Sequence, residues 1–361
     1  MANNIPNVSE NPQLIIRADA SSQLGIGHVM RCLALAQAWR ESGGKVCFAL
    51  AMESPELEAR LAIEGIDVID LASEPGSLDD ARQTIDLAQT LHAGWVVIDG
   101  YHFNAAYQKA FRETDLSTLV IDDYGHAEHY YADVVLNQNI YADEPLYVRR
   151  EPYTNLLLGT KYALLRREFR DWGNWQPAVP PMARKILVTL GGSDPDNVTQ
   201  RVIRSLQMVN SSDLEIKIVV GPANKHLESL SHALMYLDHE VELLTATRNM
   251  PQLMSWADIA ISAAGSTCWE LSFMGVPTMV VVLADNQKPI AEGLHQANAA
   301  LNCGWHTQIE EEALAETVEK LLLDTDLRRK LSYQARALVD GRGATRVTEA
   351  LYLARQRVKD I

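Results

Sequence analysis

The sequence predicts an α/β protein made of two doubly wound domains that face a cleft. Three observations carry this. The chain has 361 residues, too long for one ordinary core and suited to two of roughly 150 to 170 residues each. Apolar, β-rich runs alternate with amphipathic stretches along it, the pattern of parallel sheets covered on both faces. That alternation breaks once, in DWGNWQPAVPPMAR at 171–184, and then restarts.

In chain order, MANNIPNVSENPQ is polar and lacks the basic and apolar regions of a signal peptide, so residues 1–12 read as a loose tail. LIIRA (14–18), KVCFALA (45–51), WVVID (95–99), STLVID (117–122) and ADVVLN (132–137) read as strands of the first domain. Between 28 and 42, Val29, Cys32, Leu33, Leu35, Ala36 and Trp39 recur at helical spacing, and SGG at 42–44 ends the run as a C-cap does. The Pro- and Trp-rich stretch 171–184 reads as an interdomain linker. KILVTL (185–190), LEIKIVV (214–220), EVELL (240–244), DIAIS (258–262) and TMVVVL (278–283) then read as strands of the second domain. From about 310 the pattern is helical, and the last helix, about 343–358, has either domain to pack on. The domains are expected over 13–173 and 184–361, with a ligand in the cleft at the carboxyl ends of the strands.

Composition narrows the function. A formal net charge of −15 argues against a general binder of nucleic acid or anionic membranes, which needs a basic face. No run of about 18 apolar residues is present to insert into a membrane. Cys32, Cys47, Cys268 and Cys303 show neither CxxC pairing nor the density of a disulfide scaffold, which fits a reducing cytoplasm. An anionic small ligand stays open, because glycine turns and helix N-termini hold phosphate without net positive charge.

Three strand ends lead into glycine or small polar residues: IIRADASSQLGIGHVMR, ILVTLGGSDPDN and IAISAAGSTCWELSFMGVP. Each permits close backbone approach and offers unpaired N–H groups, and three in one chain point to a nucleotide-like ligand. The first contains GxG, with Glu53 standing where a ribose acid would. It lacks the third glycine of a dinucleotide fingerprint, and Arg31 occupies that region. His28 sits at or near the start of the helix, where the dipole disfavours imidazolium. It is either a general base opening onto the cleft or a histidine that only bonds its turn. In the third turn, Ser266 and Thr267 either donate to a phosphate while Glu270 accepts from a ribose diol, or form a capping box. Asp194 reads as an N-cap with Pro195 at the first helical position. Asp99, Tyr101, Asp122, Asp123, Asn137 and Asn139 gather at strand ends, where carboxylates orient a base, bind sugar hydroxyls or cap turns. His126 and His129 with Asp122, Asp123 and Asp133 fit no known metal-site spacing.

With these residues assembled, the chain resembles the UDP-sugar hydrolases of pseudaminic acid biosynthesis, which act on UDP-2,4-diacetamido-2,4,6-trideoxy-β-L-altropyranose. That family shares the glycosyltransferase B (GT-B) fold, two Rossmann-like domains. The segments RADASSQLGIGHVMRCLALA, VIDGYH, VIDDYGHAEHYYADVVLNQNIYA, LLGTKYALLRREF, VTLGGSDPDN and ISAAGSTCWELSFMGVPTMVVVLADNQ carry the match, over about 15–290. The resemblance implies hydrolysis of the bond between the anomeric carbon and UDP, with the UDP-sugar and water as reactants, no nucleic acid or membrane insertion, and neither cofactor nor metal; it says nothing of protein partners. It implies His28 as the base, a sugar pocket of Arg17, Ser22, Gly27, Asp99, Tyr101, Asn139, Arg166 and Gln287, and a UDP site of Gly191, Gly192, Ser266, Thr267 and Glu270. The absence of an obvious carboxylate nucleophile implies inversion. Rival readings are a glycosyltransferase of the same fold and a non-catalytic nucleotide-sugar binder. The mixed, acidic AMESPELEARLAIEG favours a soluble substrate over a membrane-docked acceptor.

Overall fold

The computed structural model describes residues 12–19, 27–52, 54–192, 194–211, 213–221, 224–245, 247 and 249–359, without the side chains of residues 56 and 355–359. The first sheet holds β1 (Gln13–Ala18), β2 (Lys45–Leu50), β3 (Asp67–Asp70), β4 (Ala93–Asp99), β5 (Ser117–Ile121), β6 (Val134–Asn137) and β7 (Asn155–Leu158). Their order is β3-β2-β1-β4-β5-β6-β7, with every neighbouring pair parallel. The second sheet holds β8 (Lys185–Thr189), β9 (Glu215–Val220), β10 (Glu240–Thr245), β11 (Ile259–Ala263), β12 (Thr278–Val282) and β13 (Leu301–Trp305). Its order is β10-β9-β8-β11-β12-β13, again all parallel. Central strands such as β1, β11 and β12 are buried along nearly their whole length, as a sheet covered on both faces requires.

Strands β3, β7 and β13 extend what the sequence pattern predicts. β3 is a largely exposed edge strand, DVID, and β13, LNCGW, is only half-buried and interrupted by Gly304 at φ 89°. Neither burial pattern imposes the continuous apolar run by which inner strands are recognised. ADVVLN pairs only from Val134.

In each sheet the strand order reverses, between β1 and β4 and between β8 and β11, which opens a crevice at the carboxyl ends of those strands. The helix Gly27–Glu41 leaves β1 and buries Val29, Cys32, Leu33, Leu35, Ala36 and Trp39. It ends where Gly43 takes φ 91°, letting the Gly44 amide bond the Trp39 carbonyl at 3.1 Å.

The chain crosses between the domains twice. The linker is fastened by Arg328, whose wholly buried side chain donates to the carbonyls of Pro180, Pro181 and Leu322. The last helix, Gly343–Lys359, returns to the first domain, where Ala344, Val347 and Leu351 join the core of Leu14, Val29 and Leu33. Tyr352 stacks on Trp39 with ring centres 4.7 Å apart. Among the described residues, no helix is long and apolar enough to cross a membrane.

Candidate active site

His28 lies in the first turn of the helix that follows β1, and Asp99 ends β4, the strand paired with β1 through Ala18 and Asp99. The strand-order reversal thus sets the two side chains face to face. His28 Nδ1 is 2.7 Å from Asp99 Oδ1. Arg31 stands three residues along the same helix face and donates to Asp99 through Nε and Nη2, both at 2.7 Å. Cys32 Sγ adds a contact at 3.3 Å to Asp99 Oδ2. Burial pushes the Asp99 carboxyl up, but the charge and hydrogen bonds of Arg31 and the hydrogen bond to His28 more than offset it and hold the group well below the ordinary carboxylate range. An ionised carboxylate only accepts, so the hydrogen of the neutral imidazole sits on Nδ1 and Nε2 keeps a lone pair.

Asp123 is the second centre. Its Oδ1 accepts from Arg31 Nη1 at 2.8 Å and from Asn139 Nδ2 at 2.8 Å, and its Oδ2 accepts from the Tyr101 hydroxyl at 2.6 Å. Burial raises this carboxyl too, and Arg31 reverses the sign and lowers it. The Tyr101 ring stands edge-on to His28 with centres 5.0 Å apart. Its hydroxyl also accepts from Asn286 Nδ2 at 3.2 Å, a bond from the second domain. His28, Asp99, Arg31, Asp123, Tyr101 and Asn139 therefore form one connected network at the cleft.

The other strand-end groups separate from this network. Asp122 accepts from the Gly125 amide at 2.6 Å and the Tyr147 hydroxyl at 2.7 Å and pairs with His126, so it organises a turn. His129 turns to Glu151 at 3.0 Å, and Asp133 accepts from the Thr118 amide at 2.7 Å. These histidines and aspartates do not converge on a common point.

On the second domain, Gly191 and Gly192 follow β8, and Ser266 and Thr267 follow β11, the strand beside it. Gly191 has φ 100°, and a Cβ on Gly221, just past β9, would overlap the backbone of Gly192, so the turn after β8 packs main chain to main chain against the end of β9. The helix Thr267–Met274 starts without a side-chain cap bond from Ser266. Glu270 instead receives Arg166 Nη2 at 2.9 Å across the cleft. Ser266 and Glu270 thus form no capping box. Burial raises the Glu270 carboxyl, and Arg166 offsets this only in part. Gly27, at the head of the first helix, faces the third turn, since a Cβ on it would lie 3.7 Å from Ser266 Oγ; within the second domain, a Cβ on Gly265 would lie 4.0 Å from Gln287 Nε2. Gln287 holds its own loop by accepting from the Leu283 amide at 2.9 Å.

Two expectations need correction. Arg17 does not line the cleft. Its side chain has no exposure and is spent on Asp80, through bonds of 2.9 and 2.8 Å, and on Asp19 at 2.8 Å, beneath the Phe103 ring. Asp194 does cap the next helix, accepting from the Val198 and Thr199 amides at 2.8 and 2.9 Å, but that helix begins at Val198 and not at Pro195. Asp194 at φ 39° and Asn197 at φ 52° turn the chain first. Ser22 and Glu53 lie outside the described residues.

Sequence reasoning missed the linking role of Arg31 and the interdomain bond of Asn286. The i, i+3 spacing of His28 and Arg31 was the available signal for the first. Nothing local distinguished Asn286 from its neighbour Gln287.

Residues 186–339 match the glycosyltransferase family 28 C-terminal domain. The chain is 28% identical over 342 residues to the spore coat polysaccharide biosynthesis protein SpsG of Bacillus subtilis (strain 168), across 93% of this chain and 96% of that one. It is 26% identical over 288 residues to the UDP-2,4-diacetamido-2,4,6-trideoxy-beta-L-altropyranose hydrolase of Campylobacter jejuni, across 78% and 96%. Among solved structures, MurG of Acinetobacter baumannii superposes with a TM-score of 0.66 at 17% identity, covering 94% of this chain and 99% of that one. The two parallel sheets and these neighbours give the chain the two-domain, Rossmann-like GT-B fold, and its second half is similar to the glycosyltransferase family 28 C-terminal domain.

Proposed function

We propose that this protein hydrolyses a UDP-sugar at its anomeric carbon, releasing UDP and the free sugar with inversion, and that the sugar is a diacetamido-trideoxy hexose of the pseudaminic acid route. The observation that carries the reading is the His28–Asp99 pair at one strand-order reversal, opposite the Ser266 turn at the other. In this reading residues 13–173 hold the sugar, and residues 184–361 hold UDP and lend their last helix to the first unit.

The chemistry needs one base. His28 Nε2 accepts a proton from water as the water oxygen bonds to the anomeric carbon. The bond from that carbon to the diphosphate oxygen breaks, and its electron pair leaves with UDP. Asp99 keeps Nδ1–H oriented and stabilises the imidazolium that forms. The leaving group is already a stable anion and needs no acid. The start of the Thr267–Met274 helix and the hydroxyls of Ser266 and Thr267 serve the diphosphate, Gly191 and Gly192 allow its close approach, and Glu270 takes the ribose once Arg166 releases it. Tyr101, Asn139, Arg166 and Gln287 serve the sugar, with Gly27 bringing the backbone close.

The test is UDP release from UDP-diacetamido-trideoxy hexose in ¹⁸O-labelled water without any acceptor. Label in the free sugar and an inverted first-formed anomer by NMR are expected. A second reading, sugar transfer to an acceptor hydroxyl placed where water would sit, is favoured by the match to the family 28 transferase domain. UDP release that waits on an added acceptor would establish it and overturn hydrolysis. Tight binding without turnover in either assay would leave a nucleotide-sugar binder.

A further inference from the structure

The directions of the hydrogen bonds around Asp123 say more about the sugar than the residue types do. A carboxylate cannot donate. The Tyr101 hydroxyl spends its only hydrogen on Asp123 Oδ2, and Asn139 turns its Nδ2 group to Asp123 Oδ1. Asn286 occupies one lone pair of the Tyr101 oxygen from the other domain. What Tyr101 has left for a ligand is a lone pair, and what Asn139 has left includes its amide oxygen. His28 is in the same position, since Asp99 takes the hydrogen on Nδ1 and leaves Nε2 as an acceptor. Two buried carboxylates therefore leave His28 and Tyr101 as acceptors and hold Asn139 with its amide oxygen free beside one remaining N–H.

The charge balance points the same way. With His28 in the neutral form in which it serves as a base, Asp99 and Asp123 carry two negative charges against the single positive charge of Arg31, and all three side chains are largely buried. Neighbouring cations do not correct the excess. Arg166 is engaged by Glu270 and Glu168, His126 by Asp122, and Arg17 by Asp19 and Asp80.

We infer that Asp123 makes the sugar end of the cleft an accepting, net-negative pocket, which admits a neutral sugar presenting N–H and O–H donors and rejects one carrying a carboxylate. Asp123 acts through Tyr101 and Asn139 and is a positioning residue. The same negative field favours the positive charge that develops on the sugar ring as the bond to the diphosphate breaks. An anionic sugar meets like charge in a water-poor site and finds acceptors where it needs donors.

This inference rests on the nucleotide-sugar reading, so the test separates the two. Titration calorimetry on the full chain measures UDP, UDP-N-acetylglucosamine and UDP-glucuronate. The native protein is expected to bind the glucuronate at least about tenfold more weakly than the N-acetylated sugar nucleotide. Asp123→Asn removes the charge and lets Tyr101 and Asn139 re-aim their hydrogens. It should shrink that ratio by about fivefold or more while UDP affinity holds. Tyr101→Phe keeps the charge and removes one acceptor, so it should weaken the N-acetylated ligand alone by about fivefold. Equal affinities in the native protein overturn the inference. So does an unchanged ratio in an Asp123→Asn protein that still binds UDP. If that variant no longer binds UDP, Tyr101→Phe decides: loss of the N-acetylated ligand alone supports the pocket's polarity, and equal loss of both refutes it. Failure of the native protein to bind UDP at all overturns the underlying reading as well.

Discussion

Asp99 decides which nitrogen of His28 is free, so an asparagine there can offer its amide hydrogen to Nδ1 and leave the ring in the wrong tautomer. Asp99→Asn is expected to lower kcat for UDP release by about 10²- to 10⁴-fold with a much smaller change in KM, and His28→Ala to lose a similar factor. A kcat within a few-fold of native in steady-state assays of either variant would remove the dyad from the mechanism. His126 carries a different prediction. Burial lowers its pKa, but the hydrogen bond and charge of Asp122 outweigh that and raise it. A raised folded-state value means the pair's contribution is full below the ordinary histidine value of about 6.5 and is lost as pH rises through the folded one. Melting temperature should therefore fall from pH 6 to pH 9 more in the native protein than in His126→Asn, and parallel thermal melts compare the two slopes. The polar residue types at these strand ends were legible in the sequence, but their partners were not. Asp122 and Asp123 are adjacent, yet one organises a turn and the other anchors Arg31, because successive residues leaving a strand point to opposite sides.

At the scale of elements, the helix Gly27–Glu41 and the strand that precedes it are legible, since apolar spacing and a glycine stop mark both ends. The placement of the last helix was not, because its amphipathic face fits either domain. The structure gives that face to the first domain, where Val347 and Leu351 are fully buried, each worth about 1.5–3 kcal/mol. The helix begins at Gly343, and a Cβ there would overlap the Ala163 carbonyl oxygen, an obstacle of main chain that cannot rotate away. Gly343→Ala is expected to cost about 1–3 kcal/mol by urea unfolding. Gly304→Ala isolates the other effect: unlike Gly343 it has a positive φ, 89°, but nothing lies within 4 Å, so its cost is backbone strain alone.

Among the described residues, Arg166 to Glu270 and Asn286 to Tyr101 are polar bonds that join the two domains across the cleft. Glu270 is the residue the UDP reading assigns to the ribose, so nucleotide and Arg166 compete for one carboxylate. Arg166→Ala frees Glu270 and loosens the closed form. The ligand-free variant should show a larger radius of gyration by small-angle scattering than the native protein, and saturating UDP should bring the two together. A variant as compact as native without ligand would show that the ion pair does not hold the domains.

By itself the sequence determined that this is a two-domain, doubly wound α/β chain with glycine turns at three strand ends and a histidine at the head of its first helix. Those features are local: apolar periodicity, turn chemistry and cap residues act within a few positions of one another. Only the tertiary structure decided that His28 meets Asp99, that Arg31 binds Asp99 to Asp123, and that Arg17, in a matching strand-end motif, is buried beneath Phe103. Each of those pairings joins groups more than sixty positions apart, or ranks two like residues by which side of a sheet they leave. Strand order and the twofold crossing of the chain settle such matters, because they alone set which strand ends lie side by side.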